Sequence, residues 1–248
     1  MKVIIIAAGY GQRMGDMTKN MPKGLLKING KTILDRQIEL FHKKNIHEIF
    51  VITGPYENFG LKEIQFIKDE EYHKHDVLGS LMAAKDVLND KVITSYSDIV
   101  FDETILEQFL SFEGDIGIPI DLDWEKSYEG RTEHPKSEAD NVLLKNNKII
   151  KIQKNISKKD ENETIGEFLG PVVFSAEGSK IFVEAYEKLV KSYTGKFHDA
   201  DSLKKAYLTD MIQELIEQNI NINPIFINGK WCEIDTPQDL EKANKLFA

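Results

Sequence analysis

Four things are scarce in this sequence of 248 residues, and each scarcity excludes something. Cysteine occurs once, as Cys232, so no intrachain disulfide can form, which fits a reducing compartment. Between Trp231 and Glu233, in an apolar-leaning run, Cys232 reads as a packed residue rather than a nucleophile. Long apolar stretches are missing. The N-terminal run Val3–Ala8 gives way to Gly, Gln and Arg, well short of the ~18–20 apolar residues of a membrane span. It also lacks the cleavage pattern of a secretory leader. These features predict a soluble, cytoplasmic protein with no membrane partner. Positive charge is in deficit: 32 Lys and Arg face 41 Asp and Glu, a formal net charge of −9. Duplex binding needs clustered cations that displace counterions, so a nucleic-acid partner is excluded, whereas a small nucleotide is not. Internal repeats and low-complexity linkers are absent too.

What is present is a strand–helix alternation. Val3–Ala8 is a short β-branched run of the kind buried on both faces of a parallel sheet. Leu34, Ile38 and Phe41 share one helical face over 34–44. A second buried strand follows over 49–54, a helix over 78–88, a third strand over 91–96, a helix over 104–112 and a fourth strand over 115–120. Such alternation predicts a doubly wound α/β sheet. Residues 121–140 lose periodicity. Residues 141–154 read as two strands around an Asn146-Asn147 turn, and 157–164 as a polar loop. A strand at 170–175, helices over 177–193 and 201–218, a strand at 223–227 and a helix over 236–247 complete the chain. Thr236-Pro237 supplies a cap and a first-turn proline for that last helix. The expected organisation is one α/β domain, residues 1–248, with an inserted substrate-facing region at about 121–170.

Three constellations carry chemistry. The first strand leads through Ala7 and Ala8 into Gly9-x-Gly11-x-Arg13-Met14. A dinucleotide fingerprint would place a third glycine where Met14 stands, so that reading fails. Gly9 and Gly11 instead permit close backbone approach to phosphate oxygens, and Arg13 with Lys23 supplies cationic donors. Ser97-Asp98 lies at the end of the third strand, where open α/β sheets bind ligands. Asp235, just before the last helix, is a candidate second carboxylate for a hard cation, with helix capping as its alternative role.

Together Gly9-x-Gly11-x-Arg13-Met14, Pro22-Lys23, Gly30-Lys31, Ser97-Asp98 and Glu233-Ile234-Asp235-Thr236-Pro237 resemble the nucleotidyltransferase superfamily, which includes sugar-1-phosphate nucleotidylyltransferases and phosphocholine cytidylyltransferases. The resemblance spans the chain. It implies a GT-A-like, Rossmann-related mixed sheet sandwiched by helices. It implies in-line attack of a substrate phosphate on the α-phosphorus of an NTP, with pyrophosphate leaving. By resemblance Arg13 and Lys23 stabilise phosphate, Asp98 and Asp235 hold Mg²⁺, and a homodimer is common among similar enzymes. No general base is needed, because a phosphate dianion is already nucleophilic, so catalysis reduces to positioning and charge neutralisation.

The nucleotide contacts implied are Ala7, Ala8, Gly9, Gly11, Arg13, Lys23, Gly79, Ser80 and Asp98. Gly79-Ser80-Leu81 is similar to the base-reading segment of phosphocholine and aminoethylphosphonate cytidylyltransferases, which favours CTP. The acceptor, a small phosphorylated or phosphonylated molecule, is expected against Asp123, Trp124, Tyr128, Arg131, His134, Glu138, Lys154 and Glu167. In that reading aromatic faces meet an ammonium group, carboxylates neutralise it, and Arg131 and Lys154 take the phosphoryl group. Lys154 is also expected among the catalytic cations. Three other readings stay open: a sugar-1-phosphate enzyme using UTP, dTTP or GTP; a non-catalytic nucleotide-binding regulator; and a glycosyltransferase. The last would want Asp-x-Asp at the third strand end, where Ser97-Asp98-Ile99 stands; the Asp121-Leu122-Asp123 copy lies elsewhere.

Overall fold

The computed structural model describes every residue except Tyr10, Glu57 and Asn58. Its strands in chain order are β1 (Lys2–Ala7), β2 (Lys27–Ile28), β3 (Lys31–Thr32), β4 (Glu48–Thr53), β5 (Gln65–Lys68), β6 (Val92–Tyr96) and β7 (Ile99–Phe101), then β8 (Ile116–Asp121), β9 (Asp140–Lys145), β10 (Lys148–Lys154), β11 (Glu163–Phe168), β12 (Val172–Phe174), β13 (Ile222–Phe226) and β14 (Trp231–Glu233). The α-helices are α1 (Ile33–Lys43), α2 (Val77–Met82), α3 (Glu103–Leu110), α4 (Ala176–Ser192), α5 (Leu208–Glu217) and α6 (Pro237–Leu246).

Among the described residues ten strands form one mixed sheet in the order β10-β9-β11-β8-β12-β6-β1-β4-β5, with β13 also pairing with β8. The strands β6, β1, β4 and β5 run parallel, and β12 enters antiparallel to β6. β1 is apolar at every interior position because both its faces are covered. Ile4 and Ile6 meet α2, α4 and α5, while Val3 and Ile5 meet α1 and α3. This is the α/β sandwich expected from the alternation of strands and helices.

The stretch 121–170 is continuous with that sheet. β9 and β10 join through Asn146 and Asn147, both at positive φ (51° and 58°). Two consecutive left-handed residues make the two-residue turn whose twist suits a hairpin. Six strands escape the sequence pattern, two of which, β2 and β3, are only two residues long. β5 lies at a sheet edge and is mostly exposed, so no buried face shapes its composition. β11 carries Glu163, Thr164 and Glu167 among its six residues and reads as loop. β7 and β14 are three residues each and pair only with one another. Two helices are shorter than their spacing suggests. α2 stops at Met82, although Ala84 and Leu88 beyond it still reach the core, and α5 starts at Leu208, where the Asp210 carboxylate accepts from the Tyr207 N–H at 2.8 Å.

Candidate active site

The carboxyl ends of β1 and β6 open into a cavity of about 1260 Å³. Its lining includes Ala8, Gly9, Gly11, Arg13, Lys23 and Asp98. Beyond β1 the chain turns at Gly11, whose φ of 65° favours glycine, and Thr18 Oγ donates back to the Gly11 carbonyl at 2.7 Å. A tight helical segment over 12–18 buries Met14, the residue standing in the lost third-glycine position, and leaves Arg13 61% exposed at the cavity mouth. Lys23 is buried instead. Gly24 makes that possible: a Cβ there would lie 2.8 Å from Leu34 and 3.1 Å from Ser97, so only glycine lets this loop close on the β6 turn.

Asp98 and Asp235 are far apart in sequence and meet through a two-stranded ladder. β7 follows Asp98 and pairs with β14, which precedes Asp235, and the Ile234 N–H donates to the Asp98 carbonyl at 2.9 Å. Gln37, buried on α1, fixes the same turn by donating to the carbonyls of Tyr96 and Ile99. The Lys23 ammonium bridges the two aspartates, donating to Asp98 Oδ2 at 2.9 Å and to Asp235 Oδ1. Burial pulls the lysine pKa down, but the two carboxylates outweigh it and hold the ammonium above its ordinary range. Burial would likewise raise Asp235, yet His134, Lys23 and Arg13 hold it well below the usual carboxylate range. Asp235 Oδ2 pairs with the Arg13 guanidinium at 2.9 Å and lies 3.0 Å from His134 Nδ1, neither with hydrogen-bond geometry.

A second part of the lining is acidic and aromatic. Glu167 is buried, accepts from the Tyr128 hydroxyl through one oxygen, and leaves the other without a hydrogen-bond donor. Burial pushes its pKa up to about 8, against the pull of Tyr128 and Arg131. Burial also lifts Asp140 to about 6, offset in part by Lys154. Glu233 is held well above the carboxylate range by burial and then by Asp235 and Asp98. Lys154 lines the cavity too, paired with Glu138 at 2.8 Å, and so does Trp231, with its indole N–H on Asp121 at 2.9 Å.

With that geometry in view, comparison with known proteins is decisive. Residues 3–122 match the MobA-like NTP transferase domain. The chain is 30% identical to the CTP:phosphoglutamine cytidylyltransferase of Campylobacter jejuni, over 97% of this chain and 98% of that one. The chain is a member of the nucleotidyltransferase family. It is also 26% identical to the bifunctional protein GlmU of Methanococcus vannielii, over its whole length and 55% of that protein. Two solved structures share the fold at 19% identity: the CTP:phosphocholine cytidylyltransferase of Streptococcus pneumoniae (TM-score 0.71, 100% of this chain and 99% of that one) and the inositol-1-phosphate CTP transferase of T. maritima (TM-score 0.72, 99% and 94%).

A nucleotidyltransferase site of this shape fits a hard divalent cation. Asp98 Oδ1 is a buried carboxylate oxygen without a donor among the described residues, and it stands beside the Asp235 carboxylate. One ligand atom each from His134, Glu233 and Asp235 also falls within 4.8 Å of the others. An oxygen-rich set with few protein ligands suits Mg²⁺ bound to phosphates.

Of the acceptor residues expected from sequence, the cavity is lined by Tyr128, His134, Glu138, Lys154 and Glu167. Three others lie elsewhere. Trp124 is buried with Ala139 and Ile165, its ring edge-on to Tyr128 at 5.8 Å, and packs instead of facing a ligand. Asp123 is 76% exposed and pairs with Lys126. Arg131 stacks 4.8 Å over Tyr128 and donates to Asp239, whose other oxygen accepts from the N–H groups of Asp235 and Thr236. Arg131 thus braces the Asp235 loop rather than binding a phosphoryl group. On the nucleotide side, Ala7 is buried within β1 and Gly79 packs against the His75 ring, so Ala8 and Ser80 are the neighbours that reach the cavity. Asp140, one of the carboxylates expected from sequence to neutralise an amine, lines the cavity, whereas sequence reasoning gave Glu233 and Trp231 no acceptor role. Glu233, two before Asp235 on a short strand, was the one with a signal.

Proposed function

We propose that this enzyme transfers CMP from CTP to a small phosphorylated acceptor that carries an amino or ammonium group, releasing pyrophosphate. The observation that carries the reading is one cavity joining two unlike walls. The Lys23–Asp98–Asp235 cluster and the Glu167–Tyr128–Asp140 group, with Lys154, line that same cavity. The 30% identical cytidylyltransferase supports both the base and the phosphorylated acceptor.

The chemistry follows from charge. A nonbridging oxygen of the acceptor phosphate attacks the α-phosphorus in line; that O–P bond forms as the bond to the β-phosphate oxygen breaks, and the electron pair leaves with pyrophosphate. Arg13 at the mouth and buried Lys23 oppose the charge on the leaving group. Asp98 and Asp235 would hold Mg²⁺ when it is bound, and it would add to the neutralisation of the triphosphate. Lys154 orients the acceptor phosphate, and Arg131 acts indirectly by holding the Asp235 loop. At the acidic part of the lining an ammonium group restores the charged form of Glu167 and finds the face of Tyr128 or Trp231.

The test is pyrophosphate release with Mg²⁺, pairing each of CTP, UTP, GTP and dTTP with phosphocholine, phosphoethanolamine, 2-aminoethylphosphonate, phosphoglutamine and glucose 1-phosphate. Turnover confined to CTP with an aminated acceptor is expected. A preference for UTP or dTTP with the hexose phosphate would overturn the reading.

A further inference from the structure

Asp69, which the sequence places in a charged surface stretch, is 1% exposed and sits at the carboxyl end of β5. Its N–H donates to the Thr53 carbonyl at 2.9 Å, which carries the sheet ladder one residue past β5. Its carboxylate collects three donors: the Glu71 N–H on Oδ1 at 3.0 Å, the Ser80 hydroxyl on Oδ2 at 2.9 Å, and the His75 ring Nδ1 at 2.9 and 3.0 Å from the two oxygens. Ser80 and His75 both line the cavity beside Ala8 and Gly9.

A serine hydroxyl owns one proton and two lone pairs, and a carboxylate only accepts. Ser80 therefore commits its one proton to the hydrogen bond with Asp69, and what it offers a ligand is an acceptor lone pair. Cytosine presents an exocyclic N4 amino donor, whereas the same position of uracil or thymine is the O4 acceptor. We propose that Asp69 is a specificity-determining residue that never touches the nucleotide: by fixing the Ser80 proton it makes the base subsite accept an aminopyrimidine and repel a 4-oxopyrimidine. The inference rests on the CTP reading and adds the residue that enforces it.

Substitution of Asp69 by Asn reverses the polarity without changing the shape. The Glu71 N–H holds the amide oxygen on its own side, so the amide nitrogen faces Ser80 and donates to it. The serine proton is then free to point into the cavity, where O4 accepts it. Equilibrium binding of CTP and of UTP, each with Mg²⁺ and no acceptor, is measured by calorimetry for wild type, Asp69→Asn and Ser80→Ala. The expected wild type prefers CTP. In Asp69→Asn the CTP:UTP affinity ratio falls by about tenfold or more, with UTP binding tighter than in wild type, a gain that mere structural damage does not produce. In Ser80→Ala, CTP weakens by about tenfold while UTP, no longer facing an acceptor, binds as tightly as in wild type or tighter. A wild type that favours UTP overturns the CTP reading itself. A CTP-preferring wild type whose ratio is unchanged in Ser80→Ala overturns the role of Asp69 alone. If Asp69→Asn does not fold, the Ser80→Ala ratio decides.

Discussion

The nucleotide side and the acceptor side of this cavity are built by different means. The first is made of strand ends and tight turns. Asp98, Gly9 and Asp69 follow parallel strands, so topology alone delivers them to one edge of the sheet. The second is made of irregular chain between β8 and β9 plus the far ends of β9, β10 and β11. There a side chain's direction is set by local packing. Trp124 and Tyr128 belong to one short helical turn and touch, yet the indole is buried in a small cluster while the phenol reaches the cavity and bonds Glu167. Where strands end, identity and order suffice to place a residue. Where chain wanders, a polar or aromatic residue is as readily part of the scaffold as of the site.

The comparison breaks most decisively at Lys23. Lys23→Ala removes the one cation that bridges both aspartates, and kcat is expected to fall by roughly 10³-fold, the range for losing a preorganised charge-stabilising donor. The acceptor KM should change far less. If Lys23→Ala retains wild-type turnover with Mg²⁺, or loses acceptor affinity instead of kcat, the division of the cavity into two walls is wrong.

How much of this was legible follows the same line. The sandwich, the parallel strands and the hairpin at Asn146-Asn147 follow from period and turn chemistry, whereas the grouping of Arg13, Lys23, Asp98 and Asp235 leans on the family resemblance as well as on strand-end position. The β7–β14 ladder that joins Asp98 to Asp235 follows from none of these, because three-residue strands carry no period. Nor does Asp69. Its neighbours Lys68, Glu70 and Glu71 are charged, and nothing in the local sequence distinguishes the one carboxylate turned inward toward Ser80. Arg131 was read as a phosphate ligand because its partner Asp239 is 108 residues away.

Trp124→Ala sharpens the contrast from the acceptor side. Removing a buried indole from a small cluster costs about 3 kcal/mol, and Tm should fall by about 6 °C or more. The acceptor KM, measured below that temperature, should stay within about twofold, since the ring does not line the cavity. A large KM rise at unchanged Tm would return Trp124 to the role its sequence suggested.

Glu167→Gln gives an effect of the opposite sign with a diagnostic pH dependence. Glu167 has a folded pKa of about 8, raised by burial from 4.5. A raised acid favours the fold fully below its unfolded pKa, and that contribution is lost as pH rises through the folded value. Wild type should therefore lose stability between about pH 4.5 and pH 8 at this site, while Gln, shaped like the protonated acid, keeps the Tyr128 bond and loses nothing. Thermal melts should coincide near pH 4 and separate by about 10 °C in favour of Glu167→Gln near pH 9. With an aminated acceptor the same variant should raise acceptor KM by about tenfold and leave the CTP KM unchanged. A variant less stable than wild type at pH 9 would mean that Glu167 is ionised and paired throughout.

The smallest expected effect is at Asp123, and it is informative because it is small. Sequence position sets Asp123 beside the acceptor residues, but its carboxylate is in solvent and holds only Lys126, an exposed pair of the kind that contributes about 0–1 kcal/mol. Asp123→Ala should leave Tm within about 1 °C and both KM values within about twofold. The neighbouring Asp121 has the opposite fate, since its side chain takes the indole N–H of Trp231, and Trp231 lines the cavity. Measuring Asp121→Ala and Asp123→Ala side by side therefore asks whether the two carboxylates of one Asp-x-Asp triplet divide into a positioning residue and a solvated one. Equal losses in acceptor KM would show that the loop closes over the acceptor and brings Asp123 with it.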